Sequence, residues 1–208
     1  MEAYLDNSAT TRVDAQVQEL MKKLMDVDFG NPSSRHQKGV VAEGYIKEAR
    51  QKIAATLKVD PKELIITSGG TESNNMALIG TALAAKRKGN HIITTAVEHP
   101  SVKATASFLE EQGFRITFLS VDSRGQISLE DLKEALTPDT ILVSIMYVNN
   151  EIGTIQPVEE AAKLVHATVP GAVFHVDAIQ AYGKVMIRPK QQGIDLLSVS
   201  SHKFHGPK

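Results

Sequence analysis

From residue 64 onward, short runs rich in β-branched residues alternate with longer amphipathic stretches. The runs cover residues 64–67, 91–95, 115–119, 140–148, 172–177 and 194–200. Parallel strands need a crossover long enough to hold a helix, and those helices must then cover the faces of the sheet. Runs without a polar alternation, such as Ile141-Leu142-Val143, suit strands buried on both faces. The pattern predicts an α/β fold: three layers, α/β/α, around a mostly parallel sheet.

The intervening helices are legible from apolar spacing. Val17, Leu20, Met21, Leu24 and Met25 follow Asp14, a plausible cap, and this helix should stop before Phe29-Gly30-Asn31-Pro32. A second runs from about 40 to 57. Others pass through Met76, Ile79 and Leu83 to an end at Gly89-Asn90, around 102–111, from a capping box at Ser128-Leu129-Glu130-Asp131, and over about 157–168. No repeat, low-complexity tract or Ser/Gly linker interrupts them, so the chain reads as one piece.

Composition narrows the function. Lys and Arg number 23 against 24 Asp and Glu, a formal charge of −1, which gives no electrostatic reason to expect nucleic acid or a membrane surface. No apolar run approaches the ~18 residues of a membrane helix and the first residues lack a signal-peptide pattern, so a cytoplasmic protein is expected. The 208 residues contain no Cys, which removes disulfides, thiolate metal sites and a cysteine nucleophile from this chain.

In open α/β sheets the ligand sits beyond the carboxyl ends of the strands. Ser68-Gly69-Gly70-Thr71-Glu72, Glu98-His99-Pro100, Asn149-Asn150-Glu151, Asp177 with Gln180, and Ser200-Ser201-His202-Lys203 all fall there. Gly69-Gly70-Thr71 before a helix suits a phosphate, and equally suits a tight turn with Thr71 as cap. Asp177 closes an apolar strand, where a carboxylate can hold a proton on a heteroaromatic nitrogen or cap the next turn. His99 can stack on a planar ring or simply bond to backbone. Lys203, between His202 and His205, reads as a desolvated amine able to form a Schiff base, or as a surface lysine. The same histidines with His175 and Asp177 offer a weaker metal alternative. A phosphate cradle, a stacking ring, a carboxylate and an amine are together what pyridoxal phosphate requires.

The segments Tyr4-Leu5-Asp6-Asn7-Ser8-Ala9-Thr10-Thr11, Gly30-Asn31-Pro32-Ser33-Ser34, Thr67-Ser68-Gly69-Gly70-Thr71-Glu72-Ser73-Asn74-Asn75, Asn149-Asn150-Glu151-Ile152-Gly153, His175-Val176-Asp177-Ala178 and residues 200–208 resemble, in order, the cysteine desulfurases of the NifS/IscS type. These are class V aminotransferase relatives with the type I pyridoxal-phosphate fold. The resemblance implies pyridoxal 5'-phosphate as cofactor and Lys203 and His99 as catalytic residues, Lys203 linked to the cofactor aldehyde and His99 stacked on its ring and moving protons. It implies Asp177 at the pyridine nitrogen, Gln180 and Asn150 near the ring hydroxyl, Asn150 also near substrate, and Gly70, Thr71, Ser200 and His202 at the phosphate. The implied reaction turns L-cysteine into L-alanine and an enzyme-bound persulfide, a sulfur donor for Fe–S clusters or tRNA thiolation. A selenocysteine lyase, a class V aminotransferase and a non-catalytic, partner-binding fragment are the alternatives.

The family's further features are expectations too: an N-terminal arm over 1–15, a cofactor-binding large domain over 16–208 that is incomplete, and no C-terminal small domain. That domain carries the family's persulfide cysteine, so the 208 residues alone are not expected to complete turnover. The partners implied are a sulfur acceptor protein and either a second copy, as in the family's homodimers, or a complementary C-terminal chain.

Overall fold

A computed structural model describes residues 2–208. The chain forms two compact units, one running to Ile66 and taking back Ser201–Lys208, the other spanning Thr67–Ser200.

The first unit holds helices α1 (Ala15–Asp26) and α2 (Gln37–Leu57) and a 3-10 turn at Pro61–Glu63. Asp14 caps α1 by accepting the Gln16 amide at 2.8 Å, as its position predicts. None of α1 is buried, and Met25 on its apolar stripe stays 71% exposed. Helix α2 begins three residues before its expected start because the His36 ring accepts the Gly39 amide. It ends at Lys58, in the left-handed conformation (φ 54°) that turns the chain out of a helix.

The strand expected over 64–67 does not form. These residues pair with no strand, and Ile65 and Ile66 are 71% and 64% exposed. Their β-branched composition was a genuine local preference, but a strand needs a neighbour. The Leu64 carbonyl instead accepts from the Arg50 guanidinium.

The chain ends of this unit are laced together. Thr11 donates its amide to the His202 carbonyl at 2.8 Å, and Asp14 to the His205 carbonyl at 2.9 Å. A 3-10 turn at Ser201–Lys203 precedes His205, which sits at φ 68° and donates its own amide to Thr11 Oγ1 at 2.7 Å.

The second unit is the α/β body: α3 (Gly70–Ala85), β1 (His91–Thr95), α4 (Pro100–Glu111), β2 (Arg115–Leu119), α5 (Leu129–Ala135), β3 (Thr140–Met146), α6 (Val158–Thr168), β4 (Val173–Asp177), α7 (Pro189–Gln192) and β5 (Leu196–Ser198). The five strands are ordered β2-β1-β3-β4-β5 and all pairings are parallel. From β1 the chain moves outward one way to β2. It then returns past β1 to β3 and proceeds the other way to β4 and β5. Right-handed crossovers in opposite directions put α4 on one face and α5, α6 and α7 on the other. The packing agrees, with α3 against α4 and α5 against α6. The expected α/β architecture with a parallel sheet is present.

The core on the α3–α4 side joins Leu78, Ala82, Val102 and Leu109 to Ile92, Leu142 and Phe114. Each such large side chain contributes roughly 1.5–3 kcal/mol by leaving water. Two buried imidazoles cross-link the strands. His91 on β1 bonds Thr140 on β3 and Thr117 on β2, both at 2.8 Å. His175 on β4 bonds Ser144 on β3 at 2.8 Å and Ser198 on β5 at 2.9 Å. In each case one partner lies directly opposite in register and the other two residues further along its strand. Burial pulls the His91 ring down to about 4 and the His175 ring down to about 3, so both are neutral.

Candidate functional site

The chain turns opposite ways after β1 and β3, so a crevice opens between the carboxyl ends of these neighbouring strands, the usual place for a ligand in such a sheet. Glu98 and Asn149 tie the loops there. Glu98 Oε1 accepts from Thr95 Oγ1 and from the Met146 amide, each at 2.8 Å, and Asn149 donates to the Val97 carbonyl at 3.0 Å. Burial pushes the Glu98 carboxyl up to about 8, against the pull of those two donors and with a further push from the Asp177 charge. Its Oε2 has no hydrogen-bond partner.

Next along, His99 caps α4. Its Nδ1 accepts the Ser101 amide at 3.1 Å and lies 2.8 Å from Ser101 Oγ. Pro100, with no N–H to satisfy, is the first residue of the helix. The ring is solvent-exposed, so one side is available to a ligand.

Asp177 ends β4 and is buried. Both carboxylate oxygens are held: Oδ1 accepts the Ile179 amide at 3.0 Å and Oδ2 accepts from Asn74 Nδ2 at 2.7 Å. This is an oriented anion at a strand end rather than a mobile surface charge. Gln180 is buried close by, and Asn150 is half-buried in the loop after β3.

Helix α3 starts at Gly70 and has no side-chain cap. The tight-turn reading gave Thr71 that role; the cap position is Gly69, and Thr71 lies within the helix with its side chain exposed. Gly70 fits by having no Cβ, because one there would lie 2.3 Å from Ile179 Cδ1 and 3.6 Å from Ser200 Cβ. The helix start therefore packs closely on the segments that follow β4 and β5, and Ser200 is buried beside it.

Lys203 and His202 belong to the first unit. The Lys203 amine donates to the Ala9 carbonyl at 2.9 Å and to the Ser8 carbonyl. His202 Nδ1 lies 3.2 Å from Thr10 Oγ1, and burial, then the Lys203 and Lys208 charges, draws its ring down. Of the histidines in the metal alternative, His175 is inside the sheet with both ring nitrogens on serine hydroxyls.

Two residues here were not singled out from the sequence. Asn74 and Ser101 link Asp177 to His99. The signal for Asn74 was present: it shares the i, i+4, i+8 stripe of α3 with Leu78 and Ala82, all fully buried. A polar residue in an apolar stripe must have a partner.

Comparison with known proteins is consistent across sequence and structure. Cysteine desulfurase IscS of Dictyoglomus turgidum is 50% identical over 207 residues, covering 100% of this chain and 52% of that protein. Putative cysteine desulfurase IscS 1 of Bacillus subtilis is 50% identical over 205 residues, covering 99% and 54%. A solved NifS-like protein superposes with a TM-score of 0.98 at 43% identity, covering 100% of this chain and 57% of its own. The chain spans about half the length of the curated relatives it matches. The Aminotransferase class-V family profile matches residues 3–208, and the parallel sheet, the glycine-led α3 and the strand-end carboxylate are the parts it covers: the chain is a member of the class-V aminotransferase family.

Proposed function

We propose that the chain is the cofactor-binding part of a pyridoxal 5'-phosphate-dependent cysteine desulfurase, acting on L-cysteine to give L-alanine and a persulfide for Fe–S cluster assembly or tRNA thiolation in the cytoplasm. The observation that carries this reading is the buried Asp177 carboxylate, fixed through both oxygens at the end of β4, in a chain half identical to cysteine desulfurases along its whole length. A neighbour in structure is described as SspA in complex with cysteine, which favours the same substrate.

The residues present suit the cofactor. The bare start of α3, with Gly70 pressed to Ile179 and Ser200, leaves backbone amides and the Thr71 hydroxyl for a phosphate. In this reading Gly70, Thr71, Ser200 and His202 would hold the phosphate, Asp177 would hold a proton on the pyridine nitrogen, His99 would stack on the ring, and Gln180 and Asn150 would bond its hydroxyl. Asn150 also meets the substrate, and Lys203 provides the amine. Pyridoxal phosphate, when bound, supplies an electron sink for the bonds at the substrate α-carbon. With the cofactor bound, His99 and Lys203 would be the groups that give and take protons there, and Asp177 would favour a protonated ring nitrogen.

Within the first unit the Ser8 and Ala9 carbonyls accept from the Lys203 amine, and in this reading they give the proposed N-terminal arm over 1–15 its part in the chemistry. No cysteine occurs in the 208 residues, so the sulfur-accepting thiol comes from elsewhere in the working enzyme, with an acceptor protein downstream. The uncovered apolar stripe of α1 favours an assembled form, with a second copy or a C-terminal chain.

Adding pyridoxal phosphate should give a yellow protein, and borohydride reduction followed by peptide mapping should find the pyridoxyl group on Lys203. Lys203→Ala should abolish both. A colourless wild type, or an adduct on other lysines only, would overturn the assignment. The 208-residue chain alone should release little alanine from cysteine.

A further inference from the structure

The Asp177 carboxylate, the Asn74 amide, the Ser101 hydroxyl and the His99 ring form an unbroken series within the second unit. The successive separations are 2.7, 3.0 and 2.8 Å. Asn74, Ser101 and Asp177 are buried, so water does not compete for these bonds.

Donors and acceptors can be assigned from chemistry. A carboxylate only accepts, so the atom of Asn74 that faces Asp177 Oδ2 is nitrogen. The same nitrogen has a second hydrogen, directed at Ser101 Oγ. With its oxygen accepting from Asn74, Ser101 has its single hydrogen for His99 Nδ1. The Ser101 backbone N–H points at the same ring nitrogen. Two donors thus converge on His99 Nδ1, which must be a bare lone pair, and the proton of the neutral ring sits on Nε2. One cost of the arrangement is visible: Asn74 Oδ1 is buried without a partner. Turning the amide over would satisfy nothing, because it would set that oxygen against the carboxylate.

We propose that Asn74 and Ser101 are positioning residues that couple Asp177 to His99, orienting the carboxylate and locking the imidazole as its Nε2–H tautomer. His99 then presents an N–H, not a lone pair, to whatever lies beyond the α4 cap. What that N–H serves rests on the functional reading above; the lock itself does not. The charge of Asp177 dictates which way the Asn74 amide faces, and the amide dictates where the Ser101 hydrogen goes. The tautomer at His99, already favoured by the Ser101 backbone amide, is therefore reinforced from a carboxylate three side chains away.

The test is long-range ¹H–¹⁵N NMR of the full chain labelled with ¹⁵N-histidine, at neutral pH and without cofactor, with His99→Gln to assign the signal. One net hydrogen bond is worth about 1 kcal/mol, so the two donors should bias wild type toward Nε2–H on the order of tenfold or more. Ser101→Ala should lower that bias several-fold, leaving the backbone amide, and Ser101→Thr should restore it. Asp177→Asn should shift the His99 Nδ1 resonance when Ser101 is present and leave it unmoved in Ser101→Ala. An Nδ1–H tautomer in wild type would overturn the proposal without recourse to any variant. So would a His99 spectrum indifferent to Ser101→Ala and Asp177→Asn. Because no cofactor is added, this failure is distinct from failure of the Lys203 trapping experiment.

Discussion

Glu98 Oε1 accepts the Met146 amide hydrogen at 2.8 Å, so a side chain from the loop after β1 satisfies the last residue of β3. The bond closes the sheet where its two halves part, and it uses a carboxyl that burial has pushed up to about 8. In the unfolded chain the same carboxyl titrates near 4.5. The folded state therefore keeps a proton that the unfolded state has lost, and stability falls as pH rises from 4.5 to 8, then levels. Above pH 7 the buried histidines contribute little slope, because their unfolded-state protons, bound near 6.5, are mostly gone. Denaturation midpoints should drop by an amount equivalent to about 1 kcal/mol between pH 7 and 8. In Glu98→Gln that drop should vanish; an unchanged slope in the variant would contradict the assignment.

His175 titrates in the opposite sense. Its ring is held down to about 3 when folded and returns to 6.5 when unfolded. Its contribution is present above pH 6.5 and is lost as pH falls toward 3. His175→Ala should cost roughly 3 kcal/mol at pH 7, from the cavity and from the stranded hydroxyls of Ser144 and Ser198. It should also make urea midpoints less sensitive to acid than those of wild type.

Gly69 precedes α3 with an extended backbone, and a Cβ there would meet nothing within 4 Å. Gly69→Asp should cap the helix and raise stability by about 0.5–1 kcal/mol, read as a shift in thermal midpoint. The same carboxylate would occupy the amides assigned to the phosphate. Pyridoxal phosphate should consequently bind at least tenfold more weakly by absorbance titration.

At Gly70 the expectation is a coupled pair. Gly70→Ala sets a methyl group against Ile179 Cδ1 and should cost about 1–3 kcal/mol by overpacking. Ile179→Val removes that carbon, so the double variant should be more stable than the sum of the single effects predicts. Additive losses would place the strain elsewhere.

The legibility of the sequence followed how local the deciding forces were. His91–Thr95 could be read to the residue, because all five positions are buried and the run is β-branched between a glycine turn and a proline-capped helix. The segment 64–67 carried an equal local signal and misled, since nothing local reveals whether a strand has a neighbour. Asp177 stood out as the charged end of an apolar run. Ser101 did not, because its importance comes from Asn74 and His99 meeting across two helices. The Asn74–Asp177 bond joins residues 103 apart, a pairing that only the packing of α3 on the sheet creates.

The two imidazole cross-links have a consequence for how this sheet finds its alignment. A parallel strand displaced by two residues keeps the same side chains on each face, so oil-and-water patterning alone accepts the error. A ring bonded to a hydroxyl directly opposite resists it: sliding β3 by two either way would set Leu142 or Met146 before His175 in place of Ser144, leaving a ring nitrogen against an apolar side chain. His91 and His175 act as pegs at the two ends of the sheet, rejecting misalignments that greasy neighbours would tolerate.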